Sequence, residues 1–182
     1  MSRRESRKKL GGELVYSGLV FDVVHVYDES LQESFEFALA DDSVRAYPVD
    51  LQGNLWLASE RRAGLGSKRV IRAASGSVGD QEDVISAALR EAHEELGVEG
   101  GSAVVFHEST TNLKLLNTIT HVLIQNWSPG QQQLERTEEI DSFVIPLKEV
   151  PDLVWSGGVL EDPVSFALLK LHQMLIVHEP HS

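Results

Sequence analysis

Apolar and polar positions alternate along the first third of the chain. Phe35-Glu36-Phe37-Ala38-Leu39 has the two-residue period of a half-buried strand, and the apolar-rich runs Leu14-Val15-Tyr16 and Leu19 to Tyr27 read as strands before it. They predict an N-terminal antiparallel sheet or hairpin. Val44 to Leu51 and Leu55 to Ser59 follow, joined by Gln52-Gly53-Asn54, whose residue types tolerate positive φ, so a hairpin is expected there. The period then lengthens. Ile85, Leu89, Ala92 and Leu96, with Val84 and Ala88 beside them, step by three and four and predict an amphipathic helix. Asp80 is its expected cap, Glu82 and Asp83 place negative charge at the positive end of its dipole, and Gly97 supplies the stop. Beyond it, strands are expected at 103–108 and 118–126, the second broken by Ser128-Pro129-Gly130, with a short strand over 143–146. Asp162-Pro163 opens a final helix carrying Val164, Leu168, Leu171 and Leu175. Strands around one amphipathic helix, closed by another, predict an α/β protein whose mixed sheet is packed between helices.

The predicted middle helix carries three carboxylates on one side, because Glu91, Glu94 and Glu95 fall at i, i+3 and i+4. They border the apolar stripe, at the boundary of core and solvent. Like charges at this spacing destabilise a helix by ~0.2–0.5 kcal/mol per pair, so a divalent cation is the natural compensation. Arg90, four residues before Glu94, neutralises part of the cluster. Glu82 projects elsewhere and need not be a ligand, and His93 projects away from the carboxylates toward solvent. The plain alternative is a solvated acidic face.

The spacing decides between these readings. Gly76-x5-Glu82-x7-Arg90-Glu91-Ala92-x-Glu94-Glu95-x-Gly97-Val98 matches the signature of the Nudix hydrolases, with Ala92 in a slot that usually holds a bulkier aliphatic residue. The resemblance implies a loop-helix-loop whose glutamates bind Mg²⁺, with Mn²⁺ the other candidate, while water attacks a phosphorus of a nucleoside diphosphate linked to another moiety. By position, metal ligation falls to Glu91, Glu94 and Glu95 with the backbone carbonyl of Ser75. Arg90 becomes the supporting salt bridge, and Glu94 and Arg90 count with the catalytic groups. The polar loop over 131–141 is where related enzymes bring in a base, which makes Glu138 and Glu139 candidates, with Glu135 behind them.

The same resemblance implies an α/β/α Nudix sandwich with a mixed sheet and an additional N-terminal antiparallel β-sheet. Residues 1–12 are then expected to be a disordered basic tail, 13–42 an N-terminal β segment that pairs two subunits, and 43–182 the hydrolase domain. The run from Tyr16 to Asp22 resembles the ADP-ribose pyrophosphatase branch, whose members commonly form homodimers, so ADP-ribose or another nucleotide sugar is the expected substrate. Arg62 and Arg72 are the expected substrate contacts. The chain departs from that branch in having Arg72-Ala73-Ala74-Ser75-Gly76 where Glu-Leu-Pro-Ala-Gly is usual, a charge reversal beside the box. Ser109-Thr110-Thr111-Asn112 also lacks the branch's proline.

Composition narrows the classes further. The 182 residues suit one domain with a sizeable core. With no cysteine there is no disulfide, thiolate nucleophile or cysteine zinc site, and the seven histidines form no metal-binding pair. The net charge is −12, and the first residues hold Arg3, Arg4, Arg7, Lys8 and Lys9 against Glu5, so the body is more acidic still. Such a body repels phosphate backbones, and neither nucleic acid nor membrane is an expected partner. No apolar run is long enough to span a bilayer and the N-terminus lacks the apolar centre of a signal peptide, so a cytoplasmic protein is expected. A nucleotide-binding sensor or scaffold on the same fold is the second functional class, and the intact Arg-Glu-x-x-Glu-Glu core argues against it.

Overall fold

The computed structural model describes residues 2–62 and 66–176. The N-terminus differs from expectation at once: in place of a disordered tail, the chain forms helix α1 (Arg3–Leu10). Its ends explain why. Ser2 and Glu5 form a reciprocal capping box, and Gly11 takes a left-handed φ of 70° to stop the helix. Arg3 then docks it, donating from its backbone N–H and Nε to Asp41 at 2.8 and 3.1 Å and from Nη1 to the Gly18 carbonyl at 3.0 Å.

The next strands, β1 (Glu13–Ser17), β2 (Phe21–Asp28) and β3 (Glu33–Ala40), form the antiparallel sheet that their alternation predicts. After them β4 (Ser43–Pro48), β5 (Asn54–Arg61), β6 (Arg69–Arg72) and β7 (Ala74–Ser77) lead into helix α2 (Val84–Leu96). The chain continues through β8 (Val98–Glu99), β9 (Ser102–Ser109), β10 (Leu115–Leu116), β11 (Ile119–Gln125), β12 (Ser128–Pro129) and β13 (Ile140–Pro146). Helices α3 (Val150–Trp155) and α4 (Asp162–Ile176) close the fold.

One sheet runs β7-β4-β11-β9, mixed because β4 and β11 are parallel; another runs β13-β5-β6. The expected hairpin between Val44–Leu51 and Leu55–Ser59 is therefore a correction. Its turn exists, with Gly53 at φ 78° and Asp50 accepting from the Gln52 and Asn54 N–H groups, but β4 and β5 lie in different sheets joined by a single Val49–Leu55 bridge. The Val49 N–H still donates to the Ile124 carbonyl of β11 at 2.9 Å, and the chain leaves that sheet at the Asp50 turn to start the next.

Alternation along β4 and β11 builds two cores. Val44, Ala46, Val122 and Ile124 face Ala87, Ala88, Ala92 and Leu96 of α2, while Tyr47, Val49 and Leu123 face Val164, Leu168 and Leu171 of α4 on the other side. The result is an α/β/α sandwich. Three alanines let α2 lie close to its sheet, so Ala92 fills its slot fully buried. The cap of α2 is Asp83, not Asp80: its Oδ1 accepts from the Ile85 and Ser86 N–H groups at 3.0 Å each. Gly97 ends the helix at φ 67°, as expected. Among the described residues no helix is long and apolar enough to cross a membrane.

Candidate active site

The end of β7, the outward side of α2 and the loop before β13 enclose a polar cavity of about 280 Å³. Ser75, Gly76, Arg90, Glu91, Glu94, Glu95, Gln133, Glu135 and Glu138 line it. Six of the expected site residues are thus brought together: Ser75, Arg90, Glu91, Glu94, Glu95 and Glu138. Five carboxylates against one lining arginine make the cavity strongly anionic. A phosphate-bearing ligand enters such a space only with added positive charge.

Glu91 lies against the strand, and Glu95 is buried more deeply still. A Cβ on Gly76 would come within 1.8 Å of its Oε1, so only glycine leaves room for the carboxylate at this point. Burial pushes the Glu91 carboxyl above its usual range, and the adjacent Arg90 offsets that only in part. Arg90 divides its guanidinium. Nε and Nη2 donate to the two oxygens of Glu82 at 2.9 and 3.0 Å, and Nη1 donates to Glu91 at 2.6 Å and to Glu94 at 3.2 Å. Glu82, not expected to be a ligand, is instead the anchor of the box arginine, and also accepts from the Gly79 N–H at 2.9 Å.

Glu95 has a different partner. Arg72 donates to it from both Nη atoms, at 2.8 and 2.7 Å, and the Ser75 N–H adds a third bond at 3.0 Å. Burial raises the Glu95 carboxyl and the fork of Arg72 opposes that; every contact at its oxygens comes from a donor, which fits the carboxylate. Ser75 pairs with Arg45 along β4, yet its N–H leaves the sheet to reach Glu95. In an antiparallel ladder a residue's N–H and C=O leave on the same side, so the Ser75 carbonyl points off that same open edge. Arg72 departs from expectation. It is 4% exposed, also bonded to Glu60, and offers nothing to a substrate in the cavity. Burial in β6 beside two carboxylates makes the expected substrate contact an internal arginine.

The loop glutamates separate. Glu138 lines the cavity, its Oε2 accepting from the Glu135 N–H at 2.9 Å, whereas Glu139 is exposed and paired with Arg61 at 2.7 Å and Arg69 at 3.5 Å. Arg62 is half-exposed and donates to Glu60 at 3.0 Å, outside the cavity lining. Sequence reasoning missed Gln133, which lines the cavity and bonds His93 at 2.9 Å. It also missed Glu60, whose role depends on β5 and β6 being neighbours, a pairing that no local pattern announces.

A family profile described as "NUDIX domain" matches residues 40–162. The chain belongs to the NUDIX family. Among curated proteins none matches the sequence. Of solved structures, one titled "Crystal structure of ADP compounds hydrolase" resembles this Nudix chain with a TM-score of 0.72 at 19% identity, covering 90% of each chain, a likeness of fold.

Nudix hydrolases generally use divalent metal ions. The donor set here fits one: carboxylate oxygens with a backbone carbonyl on an open strand edge are the ligands hard cations prefer. Among the described residues no three acidic or histidine side chains are gathered as a finished metal site. The arrangement shows why, since Arg90 Nη1 sits between Glu91 and Glu94 while Arg72 holds Glu95. Arg90 can release those two carboxylates and keep both bonds to Glu82.

Proposed function

We propose that this Nudix pyrophosphohydrolase cleaves, with a divalent ion, the diphosphate of a nucleoside diphosphate linked to another moiety, ADP-ribose or a related nucleotide sugar first among them. The observation that carries this reading is the gathering of Glu91, Glu94, Ser75 and Glu138 around one anionic cavity. Mg²⁺ or Mn²⁺, when bound, supplies positive charge to phosphoryl oxygens and acidifies water. Glu91 and Glu94, with the Ser75 carbonyl, hold the ion, and Arg90 braces them from Glu82. Glu138 takes the proton from the water that attacks phosphorus, closing with its loop to reach hydrogen-bond distance. Arg62, outside the cavity lining, would leave Glu60 to contact the substrate. The nucleotide-sugar class draws support from the neighbour's title and from the extra N-terminal sheet.

A phosphate-release screen tests it. ADP-ribose, UDP- and GDP-sugars, NADH, dinucleoside polyphosphates and oxidised dNTPs are offered with Mg²⁺ or Mn²⁺ to wild type and Glu94→Gln. Turnover of a nucleoside diphosphate derivative, abolished by EDTA and by Glu94→Gln, is the expected result. Activity that survives both changes defeats the mechanism, and binding without turnover on every compound returns the sensor reading.

The N-terminal sheet serves, in this reading, as a homodimer contact. Leu14, Val15, Tyr16, Leu19, Val20 and Phe21 form an exposed apolar stretch across β1 and β2. Light scattering at micromolar concentration should give twice the 20.1 kDa chain mass; a monomer removes this part of the proposal.

A further inference from the structure

Among the described residues, Gln133 is the one side-chain amide in a cavity lining that otherwise carries five carboxylates. Its backbone is fixed. The Gln133 N–H donates to the Glu94 carbonyl at 2.8 Å and the Gln132 side chain donates to the Glu95 carbonyl, both in the last turn of α2, where carbonyls lack helical partners. Its side chain is fixed as well, with Nε2 at 2.9 Å from His93 Nε2; an amide nitrogen only donates, so the imidazole accepts. The amide carbonyl and its second N–H have no protein partner among the described residues, which leaves an acceptor and a donor for a ligand. At about 100° per residue His93 lies about 100° beyond Glu94, on the side away from Glu91 and Glu95, so the amide stands at the outer margin of the site. A substrate held by its diphosphate at Glu91, Glu94 and Ser75 extends its remaining moiety toward that margin. Charge then selects the moiety. Glu94, Glu135 and Glu138 border the cavity with Gln133, and its lining arginine is spent on Glu82, Glu91 and Glu94. A further phosphate would meet repulsion there, whereas hydroxyl groups would meet a neutral donor and acceptor.

We propose that the Gln133 amide, held by His93, selects an uncharged, hydroxyl-bearing moiety on the nucleoside diphosphate, a sugar in preference to a phosphorylated group. Gln133 touches the substrate, and His93 is a positioning residue that acts through it. Neither belongs to the fixed positions of the box, since His93 fills the free place between Ala92 and Glu94 and Gln133 comes from the loop before β13. Changing either one leaves the carboxylates in place. The proposal rests on the diphosphate lying at Glu91 and Glu94, as in the reading above, but not on turnover.

The test compares ADP-ribose, or the nucleotide sugar that the screen above selects, with the methyl ester of the same nucleoside diphosphate, which offers no hydroxyl beyond the diphosphate. Gln133→Ala should raise KM for the sugar compound about three- to tenfold, the worth of one neutral hydrogen bond, with kcat within about threefold and KM for the methyl ester unchanged. His93→Ala should give part of the same rise, His93→Gln should restore the wild-type KM, and the double change His93→Ala with Gln133→Ala should be no worse than Gln133→Ala alone. Gln133→Lys should shift the kcat/KM ratio about tenfold toward diadenosine triphosphate. Equal losses on the sugar compound and the methyl ester overturn the proposal, as does a Gln133→Ala variant that handles the sugar compound like wild type. Calorimetry with Mg²⁺ in the Glu138→Gln background, with and without Gln133→Ala, reads the same contact without turnover. A protein that hydrolyses nothing yet binds the sugar compound more weakly once Gln133 is changed defeats the hydrolase reading and leaves this one standing. Turnover that is indifferent to Gln133 does the reverse, and a protein that binds no nucleotide sugar overturns both.

Discussion

Glu91 Oε1 occupies the space that a side chain on Gly76 would need, since a Cβ there would lie 1.8 Å away. The first glycine of the box is therefore a steric requirement of the first glutamate. Gly76→Ala should drive Glu91 off the strand edge and lower kcat by roughly 10²-fold or more, a loss typical of a misplaced catalytic group. Gly79→Ala is the control, because its nearest neighbour is the far end of Glu82 at 3.1 Å, which can move. Steady-state rates of the two variants decide the matter, and equal, small effects would show that Glu91 does not depend on the Gly76 gap.

The two adjacent loop glutamates should not behave alike. Glu138 faces the cavity, and Glu139 is spent on Arg61 and Arg69 at the surface. Glu138→Gln should lower kcat by roughly 10²-fold with KM little changed, within the range of an acid-base group. Glu139→Gln should leave kcat within about threefold, because exposed ion pairs contribute little. The reverse outcome would mean that the loop rearranges around substrate and presents Glu139.

Much of this site was legible in the sequence because the box is local. A helix period fixes which side Glu91, Glu94 and Glu95 share, and glycine spacing fixes where the helix stops. The rest depends on residues distant in sequence. Arg72 meets Glu95 only because β6 and β7 pass beside α2, and no pattern within either segment states that. The cap moved from Asp80 to Asp83 because both residues satisfy the same preference, and only the backbone shows which carboxylate reaches the Ile85 and Ser86 N–H groups. The N-terminal helix is a different case, since Ser2, Glu5 and Gly11 are a readable capping box and stop, outweighed in the reading by the run of basic charge.

That helix gives a direct stability test. Ser2 Oγ accepts from the Glu5 N–H, and the Glu5 carboxylate, held below its usual range by its bonds to Ser2, returns a bond to the Ser2 N–H at 2.9 Å. Ser2→Ala should cost about 1 kcal/mol, the ordinary worth of an N-cap. Urea unfolding measures it, and hydrogen exchange at residues 3–10 should accelerate while the core amides stay protected. No change in exchange there would mean that Arg3 and Asp41 hold the helix without its cap.

His121 sets a pH dependence remote from the catalytic cavity. It is fully buried on the α4 side of the sheet, with Nδ1 at 2.8 Å from the Tyr47 hydroxyl and Nε2 at 2.8 Å from Ser109 Oγ. Burial first, then the nearby positive groups His107, Arg45 and Lys170, depress its pKa to about 3. The unfolded chain returns it to about 6.5. Below pH 6.5 the unfolded state therefore takes up a proton that the folded state refuses, so the contribution of neutral His121 is whole above that pH and is lost as pH falls toward 3. The slope approaches about 1.4 kcal/mol per pH unit, with a ceiling of roughly 4–5 kcal/mol across the window. His107, stacked on His121 with ring centres 5.2 Å apart, is itself lowered by burial and adds in the same direction. His121→Gln keeps hydrogen-bonding capacity and removes the titration. Wild-type stability, measured by urea unfolding at pH 7.5, 5.5 and 4.5, should therefore fall more steeply than that of the variant. Parallel curves for the two proteins would show that His121 takes up its proton in the folded state, which the close approach of Arg45, His107 and Lys170 argues against.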